Sequence, residues 1–243
     1  MKTTRILPTI LISISIIIAM LIASNAIINR NKTDNNISVT GLAERNFESD
    51  LIVWKSDIRV KRMSLTDAYA EIKKQNSAIQ KFLTSRGISD TAITFSAVSL
   101  SKDFVYINEN GRSSNVFDGY VLSQTTKISS TDITKIENIS REITELINQG
   151  IEINSYAPEY FYTKLSDLKI EMLASATKDG LLRAQTIATN SQAKLGKLSK
   201  STMGVFQIVA QNSSEDYSWG GSFNTSSKKK TASVTVKLQF SVK

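Results

Sequence analysis

The chain has 243 residues, 41% of them hydrophobic and 21% charged, with a formal net charge of +8. That is long enough to bury a substantial core and too apolar for wholesale disorder. Cys and His are both absent, which excludes disulfides, thiolate nucleophiles, imidazole bases and the usual zinc and copper ligands.

Lys2 and Arg5 precede an apolar stretch whose centre, Ile10 to Ala23, is uncharged and rich in Ile and Leu. A basic end, an apolar centre and small residues at Ala23, Ser24 and Ala26 form the layout of an export signal. Ile6 to Ile28 also approaches the length needed to cross a hydrocarbon core of about 30 Å, and no strict Ala-x-Ala site follows it. Residues 1–30 are therefore expected to be a signal peptide or an N-terminal membrane anchor, against a competing reading as a buried helix. Residues 31–36 form a polar tether, and the part that follows, 37–243, is expected to lie outside the cytoplasm as one large domain or two small ones. Residues 1–28 contribute Lys2 and Arg5 and no acid, so of the net +8 the remainder keeps 8 − 2 = +6. Its basic residues are scattered apart from Lys228, Lys229 and Lys230, which read as a solvated loop; no nucleic-acid partner is expected.

After the tether, "ISVTGLAERNF" reads as a strand. "LIVWKSDIRVKR" follows, with Ile52, Trp54, Ile58 and Val60 on one face and Lys55, Asp57, Arg59 and Lys61 on the other, the period of two that marks a half-buried strand. A helix comes next, capped by Ser64 and closed by Gly87, with Leu65, Ala68, Ile72, Ile79 and Phe82 as its apolar stripe. In "TAITFSAVSL" the alternation slips between Ala97 and Val98, as at a bulge. Asn110-Gly111 signals a hairpin.

The pattern then repeats. "GYVLSQTTKIS" alternates, with Tyr120, Leu122, Thr126 and Ile128 on one face. A second helix places Ile133, Ile136, Ile143 and Leu146 inward and closes at Gly150, and "IEINSYAPEYFYT" returns as a strand. Gly87-Ile88 thus matches Gly150-Ile151. Two strand–helix–strand units point to an α+β fold with helices packed on sheets.

The last third opens with a long helix, about Leu165 to Leu195. Its expected packing stripe is Ile170, Leu173, Ala174, Thr177, Leu181, Ala184, Ala188 and Leu195, with Lys169, Asp179, Arg183 and Lys194 on the wet side. Gly180 reads as a weak point costing about 1 kcal/mol relative to Ala. Strands near "MGVFQIVA" and "ASVTVKLQFSV" finish the chain, separated by a Ser- and Gly-rich loop expected to be mobile.

Side chains that could carry chemistry are few. A Ser-x-x-Lys pattern, Ser99 to Lys102, lacks the companion motifs of serine acyl enzymes. The acid pairs Glu48 with Asp50 and Glu215 with Asp216 fall short of a calcium loop's ligand count. Tyr156, Tyr160, Phe161, Tyr162 and Trp219 could line a ligand pocket or an interface, although tyrosines packing on a strand is the plainer reading. Pro158 marks an edge or irregular position. No catalytic, cofactor-binding or metal residues are assigned and no cofactor is expected.

In order and spacing, "ISVTGLAERNFESDLIVW", "FDGYVLSQTTKI", "LINQGIEI", "KDGLLRAQTIATNSQAKLGKL" and "ASVTVKLQFSV" resemble the SIMPL domain of bacterial YggE-like exported proteins, over nearly all of 37–242. The resemblance implies a cell-envelope protein of α+β fold, a ring- or channel-like homo-oligomer, and a link to envelope or oxidative-stress tolerance. It brings no catalytic residue set. A periplasmic small-ligand or lipid-binding module and an enzyme of unknown reaction stand as the alternatives.

Overall fold

The computed structural model describes residues 6–30, 35–109, 112–214 and 218–242. Helix α1 runs Ile6–Arg30. Its side chains from 12 to 25 are all exposed, among them Ile12, Ile16, Ile17 and Leu21. The reading as a buried helix therefore falls. The expected spanning helix is not found either: among the described residues no helix is long and apolar enough to cross a membrane.

The remaining elements are β1 (Asn36–Glu48), β2 (Leu51–Arg62), α2 (Leu65–Ser85), β3 (Ile93–Phe95), β4 (Ser99–Glu109), β5 (Arg112–Ser130), α3 (Ile133–Glu142), β6 (Ile153–Ser155), β7 (Glu159–Phe161), α4 (Leu165–Asn190), β8 (Leu195–Met203), β9 (Gln207–Ala210) and β10 (Lys229–Val242). They form an α+β fold with two antiparallel sheets. One has the order β3-β5-β2-β6, with β4 also on β5 and β7 also on β2; the other has the order β1-β10-β8, with β9 on β10. In the first sheet β5 lies between β2 and β3, while β2 lies between β5 and β6. Each strand–helix–strand unit thus holds a strand of the other in its middle, a split β-α-β arrangement.

The chain divides into two compact units. One takes Leu42–Ala176 and Met203–Thr235; the other takes the chain up to Gly41, Thr177–Thr202 and the residues from Val236. The larger core lies in the first. Ile52, Trp54, Ile58 and Val60 of β2 and Leu122 and Ile128 of β5 pack against Ala68, Ile72, Ile79 and Leu83 of α2 and Ile133, Ile136 and Ile139 of α3. Each large side chain here contributes about 1.5–3 kcal/mol by leaving water. Buried Trp54 keeps its indole satisfied: Nε1 donates to Ser155 Oγ at 3.0 Å, and that hydroxyl donates to the Ser140 carbonyl at 2.6 Å.

The expected second helix tightens after Glu142 into a 3-10 helix, Ile143–Gln149, and it is this that Gly150 closes; its end nonetheless matches that of α2 in detail. Gly87 and Gly150 both have φ +77. Their N–H groups donate to the Thr84 and Ile147 carbonyls, each at 2.9 Å, while Ile88 and Ile151 donate to Leu83 and Leu146 at 3.1 and 3.2 Å. Both caps turn the chain through the left-handed region and drop the following isoleucine into the core. Ser64 caps α2 as expected, accepting from the Asp67 N–H at 3.4 Å. The slip at Ala97 and Val98 is the break between β3 and β4. Pro158 separates β6 from β7, so "IEINSYAPEYFYT" makes two short strands rather than one.

Helix α4 keeps Ala184 and Ala188 of its expected stripe and departs from the rest of it. Its buried residues fall at every fourth position: Leu168, Met172 and Ala176 in the larger unit, and Gly180, Ala184 and Ala188 in the smaller. Ile170, Leu173 and Leu181 are exposed instead, as are Ala174 and Thr177. The cause is close approach in the smaller unit. A Cβ built on Gly180 would stand 2.8 Å from Leu238 Cδ1 and 3.3 Å from the Gly41 nitrogen. The helix backbone lies against the sheet, and only a ridge of Gly and Ala fits beneath it. Gly180 thus sits at a close approach, where an added Cβ would displace the end of Leu238 and press on the Gly41 backbone. The helix also ends earlier than expected. Gln192 takes φ +57 and Ala193 donates to the Ala188 carbonyl at 2.9 Å, so Leu195 opens β8. A glutamine in the left-handed cap position leaves no sequence signal of the kind glycine gives.

Two outcomes follow for denaturant melts. Gly180→Ala should lower stability by ~1–2 kcal/mol, because overpacking outweighs the ~1 kcal/mol gained in helix propensity; a raised midpoint would reject the close approach. Ala184→Glu should cost several kcal/mol as a buried unpaired charge of order ~3–5 kcal/mol, whereas Arg183→Ala, at an exposed helix ion pair, should cost less than ~1 kcal/mol.

Candidate interaction surfaces

The charges of α4 do not converge. Arg183 Nε donates to Asp179 at 2.8 Å, one turn away on the same helix, and Lys169 Nζ lies 5.4 Å from the centre of the Phe206 ring. Ser99 and Lys102 sit three residues apart on β4, so their side chains leave opposite faces and make no dyad. The Asp50 carboxylate accepts from the Thr163 N–H at 2.7 Å and the Thr163 hydroxyl at 2.6 Å. Glu48 pairs with Lys229 at 3.6 Å. Both acids thus have partners within the protein. Glu215 and Asp216 lie outside the described residues. No group of three or more acids that could hold a metal ion occurs among the described residues.

The lysine triplet is not a solvated loop. Lys229 and Lys230 begin β10, and Lys230 is only 1% exposed; its ammonium donates to the Asn224 carbonyl. The tyrosines divide by environment. Tyr160 OH donates to Glu137 at 2.9 Å, and burial, with that carboxylate second, pushes its pKa up to about 12. Tyr156 is 46% exposed; its bond to Asp57 raises its pKa. The edge near Pro158 is largely closed, since β6 and β7 are three residues each and Tyr160 N–H donates to the Thr225 carbonyl at 2.7 Å.

Two apolar surfaces stand out within the larger unit. The first is a groove of ≈ 710 Å³ lined by Leu42, Val205, Gln207, Trp219 and Val234 among others. Its wall is built by the loop expected to be mobile. The Gln207 amide donates to the Ser218 carbonyl at 2.7 Å and accepts from Ser222 N–H at 2.7 Å, and Ile208 bridges to Phe223. Trp219 stands fully exposed on that wall.

The second is a hairpin arm. The β2–β5 ladder ends at Arg62↔Tyr120, yet β4 and β5 continue together to Glu109↔Arg112. Asn110-Gly111 lies outside the described residues. Past that point Phe104, Val105, Tyr106, Ile107 and Val116 are all exposed, at 53%, 45%, 65%, 37% and 46%. Val105 faces Val116 on one side of the ribbon, and Phe104 faces Phe117 on the other, the rings 5.9 Å apart edge to face. At its root the register shifts between Asp103 and Phe104. Gly119, at φ +121, sits where a Cβ would come within 2.9 Å of the Arg62 carbonyl. Lys61 holds this bulge, donating to Asp103 at 2.7 Å and to Asp118. Its bond to Asp103 raises the ammonium pKa and lowers that of the carboxyl. The sequence signal for the arm is "FVYI" at 104–107: uncharged and β-prone, it places apolar residues on both faces instead of alternating.

No curated protein matches the chain. The family model described as SIMPL, a protein of unknown function (DUF541), matches residues 37–240. That span takes in β1 through most of β10, so the chain belongs to the SIMPL family.

Proposed function

We propose that this chain is an exported cell-envelope protein that works by assembling with copies of itself, not by catalysis. The carrying observation is the arm, whose large apolar side chains are exposed on both faces. Monomeric proteins rarely leave such surface open. Export is supported by the basic end and apolar centre of residues 1–30 and by the all-round exposure of α1's apolar side chains. Non-enzymatic action is supported by a chain without His or Cys, whose acids at Asp50 and Glu48 are engaged by Thr163 and Lys229. A role in envelope or oxidative-stress tolerance belongs to the same proposal.

The groove at Trp219 favours a second reading, a small-ligand or lipid-binding module. A concave apolar surface with a few polar groups is the form such sites take.

A reporter joined after residue 36 should be active only outside the cytoplasm, and cytoplasmic activity would overturn export. N-terminal sequencing of the native protein distinguishes a retained segment from a removed one. In mild detergent the native particle should have the mass of several chains across a wide concentration range. A monomer whose Trp219 fluorescence shifts on adding a fatty acid, with the shift lost in Trp219→Ala, would instead support the binding module.

A further inference from the structure

β4 is an edge strand. Among the described residues it pairs with β5 and with no other strand, so one row of its backbone N–H and C=O groups faces outward along Ser99–Glu109. Natural edges of this length are usually blunted by charge, proline or a cover. Here the segment Phe104–Ile107 carries none of these, and its side chains are exposed on both faces. The edge near Pro158, by contrast, is broken and capped by Thr225.

We infer that β4 pairs antiparallel with β4 of a second copy, about a two-fold axis at Val105. This rests on the assembly reading above and names its surface. The chemistry selects the occupant. An outward row of donors and acceptors is matched by another strand, whereas a bilayer would leave those groups unsatisfied in hydrocarbon and a helix has none to offer. Every copy carries the same uncharged edge, and pairing of like edges closes on itself through a two-fold axis.

Symmetry then fixes the register. A two-fold axis perpendicular to the sheet keeps every side chain on its own face, so one residue must face itself. With Val105 on the axis, Val105 faces Val105, Phe104 faces Tyr106 twice, and Lys102 faces Asn108; no like charges meet. With Tyr106 on the axis, Asp103 faces Glu109, two acids opposed. With Phe104 on the axis, Asp103 faces Val105, much as it faces Ile107 in the first register, but the two Phe104–Tyr106 pairs give way to one Phe104–Phe104 pair and Tyr106 faces Lys102. Aromatic and β-branched pairs stabilise facing strands, and opposed like charges destabilise them. Val105 is therefore the centre. Edge pairing covers the flanks of the exposed side chains of Phe104, Val105, Tyr106 and Ile107, while their outer faces and Val116, one strand away on β5, stay open.

The absence of native cysteine permits a direct test on the full chain in mild detergent. Facing residues have Cα atoms about 4.5–5.5 Å apart, within disulfide range. Val105→Cys should therefore form a disulfide-linked dimer under mild oxidation. Tyr106→Cys, whose copies lie diagonally at more than about 7 Å, should link at least about tenfold more slowly. The double variant Phe104→Lys, Tyr106→Lys should raise the concentration for half-assembly by about tenfold or more, as the aromatic pairs are lost and charges oppose. Its melting midpoint as a monomer should fall only by a few degrees, the share of the lost Phe104–Phe117 ring contact. A multimeric native particle with no Val105 crosslink and no response to the lysines would overturn the β4 edge and leave assembly standing. A monomeric native chain would overturn both.

Discussion

The antiparallel ladder between β2 and β5 is the constraint on which the larger unit depends. Every strand of its sheet attaches to one of these two: β3 and β4 to β5, β6 and β7 to β2. Its inner face supplies Ile52, Trp54, Ile58 and Val60 to the core against both helices. Trp54 has the most to lose, because its large side chain is buried together with a polar N–H. The chain of bonds through Ser155 to the Ser140 carbonyl joins β2, β6 and α3, so the indole is satisfied only when the second strand–helix–strand unit is in place. Burial and hydrogen bonding therefore favour the same arrangement.

The ladder also determines what lies outside it. Because β2 stops at Arg62 while β4 and β5 run on, the ribbon beyond loses the helices that cover the rest of the sheet. It also loses β2, its neighbour on the β5 side. The bulge at Asp118, made possible by Gly119 and held by Lys61, marks the change from core strand to arm. Bulges commonly mark where a strand turns away from its sheet or where pairing ends. The arm's exposed aromatic and β-branched side chains follow from that geometry, and with them the link from fold to assembly.

In the smaller unit the governing quantity is distance rather than hydrophobic area. Helix α4 lies so close to the sheet that Gly180, Ala184 and Ala188 are what fits, and the larger apolar residues of the same helix are displaced to its exposed faces. A hydrophobic residue there is not evidence of an inward face: the small residues Ala184 and Ala188 of the expected stripe are buried, whereas its Leu181 is exposed and Gly180 is buried in its stead.

The sequence by itself determined the elements whose periodicity has one solution. The alternation in β2 and β5, the capped starts of α2 and α3 and the matched Gly87-Ile88 and Gly150-Ile151 ends were all legible, because each is a local rule with a local cause. Family membership was legible too, from the order of short blocks along the chain. Only the tertiary structure decided the rest. It replaced the tail of α4 by β8, buried Lys230 against Asn224, pinned the loop around Trp219 to Gln207 and left β4 at an edge. Each of these depends on which distant residue arrives alongside. A left-handed glutamine, a satisfied buried ammonium and an unpaired strand edge have no period for a sequence to display.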